Sequence, residues 1–91
     1  MELAISIDKK LLCYQVGDMK GNGLDELIGQ LGSLKFDKVS LSGESTSYTF
    51  LRQIALLVNL LIKIKKVEVK LATACFKRRG DLIIPLYKEI C

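Results

Sequence analysis

The residues Ser42-Gly43-Glu44-Ser45-Thr46-Ser47 combine one glycine with four hydroxyl side chains. Gly43 allows a sharp turn of the backbone and the close approach of a ligand. Ser45, Thr46 and Ser47 precede a long apolar segment with helical spacing, so one of them is expected to cap that helix. The other hydroxyls, together with the amide groups of the first helical turn, could bind an anion. Glu44 would repel a phosphate unless it points away or contacts a ribose hydroxyl or a base. Plain helix capping and ligand binding both fit this segment.

A second polar cluster is formed by Lys77, Arg78 and Arg79, which precede Gly80. Arginine forms paired hydrogen bonds with phosphate and stacks on bases. If the strand predicted before this cluster lies beside the strand that leads into Ser42, then Thr73 and the three cations lie at the same end of the sheet as the serine segment. The two clusters would then form one site. A solvated hairpin turn is the alternative interpretation of the cations.

The elements that position these residues follow from hydrophobic periodicity. Strands are predicted at 2–7 and 11–16, a loop at 17–23 and a short helix at 24–31. A third strand at 36–41 leads into the loop 42–47, and the main helix covers 48–64. A strand at 67–73, a basic turn at 76–80 and a last strand at 81–88 complete the chain, with Pro85 placing that strand at an edge. The predicted fold class is α/β, with a single mixed sheet, the order β-β-α-β-α-β-β and two helices.

Composition limits the function classes. The 91 residues fit one domain, and their net charge of +4 is divided unevenly. Residues 1–46 contain five Lys/Arg and seven Asp/Glu, whereas residues 47–91 contain nine Lys/Arg and three Asp/Glu. The basic half indicates an anionic partner such as a nucleic acid, a nucleotide or a membrane surface. The chain has no histidine, so the usual metal ligand and general base are missing. We predict no metal site, no cofactor and no catalytic residues.

The three cysteines match no zinc or redox motif. Because no secretion signal precedes them, we interpret them as reduced cytoplasmic thiols, with Cys13 and Cys75 in the core. The expected location is the cytoplasm, or the cytoplasmic face of the inner membrane.

Several segments resemble the small CRISPR-associated proteins of type III systems that bind cyclic tetra-adenylate. The resemblance covers residues 1–5, 25–31 and 39–43, the last followed by a long helix, as well as Arg78-Arg79-Gly80 before an apolar strand. In the ring nucleases of that group an aspartate stands two positions before the arginine, where this chain has Phe76. A histidine near the preceding strand also has no counterpart. The segments that resemble the ligand-binding part of the family are present, whereas the aspartate and the histidine have no counterpart. This pattern favours a sensor over a nuclease.

The resemblance implies that two subunits pair through their faces around a symmetric cyclic ligand. The expected function is therefore a non-enzymatic sensor domain, residues 1–91, that binds cyclic tetra-adenylate at the interface of a homo-oligomer (dimer or tetramer) in antiviral signalling. Binding would trigger oligomerisation of an attached or neighbouring membrane effector, and the domain could be the soluble part of a longer membrane protein. The alternatives are a ring nuclease that cleaves cyclic tetra-adenylate and a general RNA- or protein-interaction domain.

Overall fold

The structure is a computed structural model that describes residues 1–86. Within this range the chain alternates groups of strands with two helices, which is the pattern of an α/β domain. The elements are β1 (Glu2–Asp8), β2 (Leu11–Val16), β3 (Met19–Asn22), α1 (Leu24–Gln30), β4 (Lys38–Glu44), α2 (Tyr48–Lys65), β5 (Glu68–Ala72), β6 (Phe76–Arg79) and β7 (Leu82–Pro85).

Five strands form one mixed sheet in the order β3-β2-β1-β4-β5. The pairs β1–β2 and β2–β3 are antiparallel, whereas β1–β4 and β4–β5 are parallel. The chain passes from β3 to β4 through α1, and from β4 to β5 through α2. Because β3, β4 and β5 all run in the same direction, both helices run opposite to these strands and parallel to each other.

The sheet buries one of its two faces. In β1, Leu3, Ile5 and Ile7 are buried, and the residues between them are exposed. The strand register places the buried residues of β2, β4 and β5 beside these three, so the buried strand residues share one face. Leu27 of α1 and the inner side of α2 belong to the same core. Both helices thus cover one face, and no element within residues 1–86 covers the other.

The α2 helix forms because apolar residues recur at helical spacing and both of its ends are stabilised. The Ser47 hydroxyl accepts a hydrogen bond from the Phe50 amide at 3.3 Å, as an N-terminal cap does. At the other end, Lys66 adopts a left-handed conformation that stops the helix. The buried side of α2 consists of Leu51, Ile54, Ala55, Leu57, Val58 and Leu61.

The hairpin β6–β7 forms a separate two-stranded sheet that packs against α2. The Asn59 side chain joins the two elements: its amide nitrogen donates to the Ile83 carbonyl at 3.0 Å, and its amide oxygen accepts from the Ile83 N–H at 2.7 Å. Ile83 itself is buried. Asn59 therefore gives the hairpin the pair of hydrogen bonds that a neighbouring strand would otherwise supply.

The predicted fold class is confirmed: the chain is α/β, with a mixed sheet, two helices and the expected order of elements. The structure adds β3 where a loop was predicted, and it places the final hairpin in its own sheet. The predicted turn at 76–80 is wrong, because most of it forms β6 and the chain reverses at Gly80-Asp81. The predicted last strand is shorter, and residues 87 and 88 of that prediction lie outside the described residues.

The cysteine predictions need two corrections. Cys13 is free and exposed, because it lies on the uncovered side of β2. Cys75 is buried as predicted, but it is disulfide-bonded rather than reduced. No helix within residues 1–86 has the combination of length and apolarity that crossing a bilayer requires.

Candidate functional site

Gly43 is held in a conformation that only glycine adopts easily, with φ at +88°. It lies in β4, beside Ile7 of β1. A Cβ atom at this position would collide with the Ile7 carbonyl oxygen. The segment predicted as a loop at 42–47 is therefore a strand as far as Glu44, and only residues 45–47 connect it to α2.

The hydroxyls of this segment have different roles. Ser42 Oγ lies 3.4 Å from the Ile5 carbonyl, and Ser45 Oγ accepts a hydrogen bond from the Ser47 amide at 3.0 Å. Ser47 caps α2. Thr46 is exposed. The structure thus assigns Ser45 and Ser47 to the local fold, and Thr46 presents its side chain to the surface.

A cleft of about 310 Å³ lies where β1 and β4 end, and we refer to it as the end cleft. It is lined by Asp8, Lys9, Glu44, Ser45 and Thr46. β1 and β4 are neighbouring parallel strands whose chains leave in opposite directions, β1 towards β2 and β4 through α2 towards β5. Such a divergence at the carboxyl ends of parallel strands is where open α/β sheets bind ligands.

The end cleft offers groups of both charges. Lys9 supplies a cation, and its backbone amide donates to the Glu44 carbonyl at 3.2 Å, which fixes the turn after β1 against the end of β4. Asp8 and Glu44 supply carboxylates from adjacent strands. Carboxylates accept hydrogen bonds from hydroxyl or amino groups, whereas the lysine and Thr46 can donate to phosphate oxygens. This mixture suits a ligand that carries both kinds of group.

The uncovered face of the sheet adjoins the end cleft, and we refer to it as the open sheet face. Its central side chains are small: Ser6 lies between Cys13 and Ser42, and Ala4 lies between Gln15 and Ser40. Small side chains let a flat ligand or a second protein surface approach the backbone closely. Two shallow grooves mark this face, one of about 400 Å³ towards β3 and one of about 290 Å³ towards the start of β4 and β5.

Lysines stand at the margins of the open sheet face. Lys20 pairs with Gln15 at the β3 edge, and Lys70 pairs with Ser40 at the β5 edge. Lys38 lies at the start of β4, between Glu2 and Glu68. The face is thus uncharged and polar at its centre, and its margins carry Glu2 and Glu68 as well as the three lysines, of which Lys20 and Lys70 stand at opposite edges where they can contact peripheral phosphates of a ligand.

The structure places Thr73 close to the serine segment. It does not place Lys77, Arg78 and Arg79 there. Thr73 Oγ1 accepts a hydrogen bond from the Cys75 amide at 3.1 Å, and Cys75 Sγ lies 3.9 Å from the Ser45 carbonyl oxygen. The turn after β5 therefore packs against the start of α2.

Arg78 lies away from the end cleft. Its guanidinium donates to the carbonyl of Val69 at 3.0 Å, three residues before the end of β5. At about 3.3 Å per residue this is roughly 10 Å back along the strand. Lys77 and Arg79 flank Arg78 in the same strand and are exposed, and none of the three lines the end cleft. A turn directly after β5 would have kept the basic residues at the end of the sheet, whereas the strand β6 carries them back along β5.

Asp8 and Lys9 are the functional candidates that sequence reasoning did not find. The strands predicted at 2–7 and 11–16 place these two residues in the connection between them, but their proximity to Glu44 depends on the pairing of β1 with β4. Within residues 1–86, no group of three or more acidic, cysteine or histidine residues is placed to bind a metal ion. No protein-family model, curated protein or solved structure matches this chain.

Proposed function

We propose that this chain is a non-enzymatic sensor domain that binds cyclic tetra-adenylate, or a similar cyclic oligonucleotide, between copies of itself. The observation that carries the proposal is the end cleft, in which a lysine, a threonine hydroxyl and two carboxylates line one cavity at the carboxyl ends of β1 and β4. The expected location is the cytoplasmic side of the cell, where nucleotides are abundant; the disulfide of Cys75 would there be an exception to the usual reduced state of thiols.

The chemistry of the end cleft favours a nucleotide over a bare phosphate. Lys9 and Thr46 can donate to a phosphate, whereas Asp8 and Glu44 accept hydrogen bonds from ribose hydroxyls or from an adenine amino group. Inorganic phosphate lacks ribose hydroxyls and an adenine amino group, and its negative charge is concentrated on one small ion that the two carboxylates repel. The proposed ligand satisfies both sets of groups.

The open sheet face supports a ligand shared by two copies. Its small central side chains leave room for a flat ring against the sheet, and Lys20 and Lys70 are placed to neutralise phosphates at its edges. A second copy facing the first would present the same groups from the other side. Ligand binding would then stabilise the pair and signal to an attached or neighbouring effector.

Titration calorimetry with cyclic tetra-adenylate tests the proposal, with linear tetra-adenylate and inorganic phosphate as comparison ligands. We expect the ring to bind more tightly than either. Lys9→Asn, which preserves the left-handed backbone at this turn, should weaken binding about tenfold or more, since a charge-assisted hydrogen bond contributes about 1.5–3 kcal/mol. Lys70→Asn should weaken it as well.

Lys35→Asn is the matched control, because it removes the same charge from an exposed position in the segment between α1 and β4. Its affinity should equal that of the wild type. No binding of the ring, or an equal loss in Lys35→Asn, would contradict the proposal. Release of linear product from the ring would instead identify a ring nuclease, and equal binding of linear RNA with a steep salt dependence would identify a general RNA-binding domain.

A further inference from the structure

The outer side of the helical layer carries an apolar stripe that the monomer leaves exposed. Leu56, Leu60 and Ile64 are spaced four residues apart on α2, so they lie along one side of the helix. Their exposed fractions are 64%, 51% and 67%, and that of Ile28 on α1 is 51%. Between the two helices lies a groove of about 420 Å³, which we call the helix groove. Its lining includes Asp25, Ile28, Gln53, Leu56, Leu57 and Leu60.

We propose that the helix groove and its stripe are the interface of a homodimer, with a two-fold axis that passes between α1 and α2 at the level of Leu57 and Leu60. This dimer uses the layer opposite to the open sheet face, so it does not depend on the proposed ligand. In a two-fold pair the same patch serves both partners. The α1 helix of each copy then lies over α2 of the partner subunit, and Ile28 of one copy packs near Leu60 of the partner subunit.

Charge complementarity along the helices identifies the second copy as the occupant. The first turn of α1 is acidic, with Asp25 and Glu26, and the last turn of α2 contains Lys63 and Lys65. Lys65 donates to the Leu34 carbonyl at 3.3 Å, so the helix ends lie at the same level. Because the helices are parallel, the start of α1 and the end of α2 lie at opposite ends of this surface, so it carries two acidic residues on α1 beside Arg52 of α2 at one end and lysines at the other.

The two-fold axis brings opposite ends together. Asp25 and Gln53 line the same end of the helix groove. Gln53 lies four residues before Leu57, and Lys63 lies three residues after Leu60, so the axis places the Gln53 end of one copy beside the last turns of α2 in the other. Asp25 of one copy therefore faces Lys63 of the partner subunit, and the reverse contact forms at the other end. A stable interface needs about 800 Å² per partner, and the broad faces of a molecule measuring 36 × 27 × 19 Å are large enough for it.

Sedimentation equilibrium of the full chain without ligand tests this dimer. The wild type should be dimeric, and Leu60→Glu should raise the dissociation constant at least about tenfold, because each dimer then buries two carboxylates at its centre. Leu82→Glu is the matched control, since Leu82 is 55% exposed but lies on the hairpin. It should leave the dimer intact.

Charge exchange tests the orientation of the two copies. Asp25→Lys and Lys63→Glu should each weaken the dimer several-fold, and the double variant should recover most of the loss because the pair is restored with reversed sign. A monomeric wild type, an equal effect of Leu82→Glu or additive losses in the double variant would overturn the proposal. A wild type that is monomeric and binds anionic lipid vesicles would assign the stripe to a membrane surface instead.

Discussion

Gly43 lies where two strands approach so closely that no side chain fits. Its φ of +88° disfavours other residues, and a Cβ atom would collide with the Ile7 carbonyl. We predict that Gly43→Ala lowers the free energy of unfolding by about 2–5 kcal/mol, from backbone strain and steric overlap together. Urea denaturation followed by circular dichroism measures this loss.

Gly29→Ala is the contrasting substitution, because Gly29 lies in α1 with open space around it. It should stabilise the chain by about 0.5–1 kcal/mol through higher helix propensity. If the two glycine variants changed stability equally, the close contact between β1 and β4 would not explain why position 43 requires glycine.

The environment of Tyr14 predicts that the folded protein loses stability at alkaline pH. Its ring is buried and its hydroxyl donates to Glu26 Oε1 at 3.1 Å, so burial, the hydrogen bond and the nearby carboxylate all raise the pKa of Tyr14 above 10.0. Because the folded state holds the proton more tightly than the unfolded state, this contribution is complete below pH 10 and is lost as the pH rises through the folded pKa.

Comparison of the wild type with Tyr14→Phe isolates this group from the other tyrosines. The stability of the wild type, measured relative to Tyr14→Phe, should fall as the pH is raised above 10. A difference that stayed constant from pH 8 to 11 would mean that Tyr14 titrates alike in the folded and unfolded chain.

At the residue scale, sequence reasoning identified local roles and missed distant ones. A helix cap among Ser45, Thr46 and Ser47 could be predicted because capping depends only on neighbouring residues, and Ser47 provides it. The contribution of Asp8 and Lys9 to the end cleft could not, because it depends on a strand pairing between residues more than 30 positions apart.

At the element scale, Asn59 holds the final hairpin against α2. Asn59→Ala removes two hydrogen bonds to Ile83, which should cost about 1–3 kcal/mol. We expect faster hydrogen exchange of the β6–β7 amides and little change in β1 and β2. Thr49→Ala, at an exposed position on the same helix outside the helix groove, is the control and should change stability by less than about 0.5 kcal/mol. Uniformly faster exchange would show that the hairpin does not open as a separate unit.

The helices and the apolar strands could be predicted well, whereas β3 and β6 could not. β1, β2 and α2 have clear alternation or helical spacing, and their bounds agree closely with the structure. β3 contains Gly21, which lies under the Tyr14 ring and leaves no room for a side chain, so its sequence favours a loop. β6 consists largely of exposed basic residues, and a solvated edge strand has no apolar period that distinguishes it from a turn.

At the scale of the whole molecule, the two proposed surfaces lie on opposite layers and should respond independently. Leu60→Glu should disrupt the dimer that forms without ligand and keep the affinity for cyclic tetra-adenylate within about twofold, as expected for distant sites. Lys70→Asn should weaken the binding of cyclic tetra-adenylate and leave the ligand-free dimer intact. The same protein samples, measured by sedimentation and by calorimetry, provide both readings. Loss of ligand affinity in Leu60→Glu would show that the two surfaces are coupled.

The hydrogen bond from Arg78 to Val69 has a consequence for aggregation. β5 is an outer strand of the five-stranded sheet, and outer strands with unpaired carbonyls recruit strands from other molecules. The Arg78 guanidinium donates a hydrogen bond to one of these carbonyls, that of Val69, and places a positive charge beside the strand. An incoming chain would have to displace both. We therefore expect Arg78 to hinder the addition of further strands to β5 and so to slow fibril growth. Arg78→Ala should shorten the lag before thioflavin-positive aggregates appear, whereas Lys77→Ala should shorten it less.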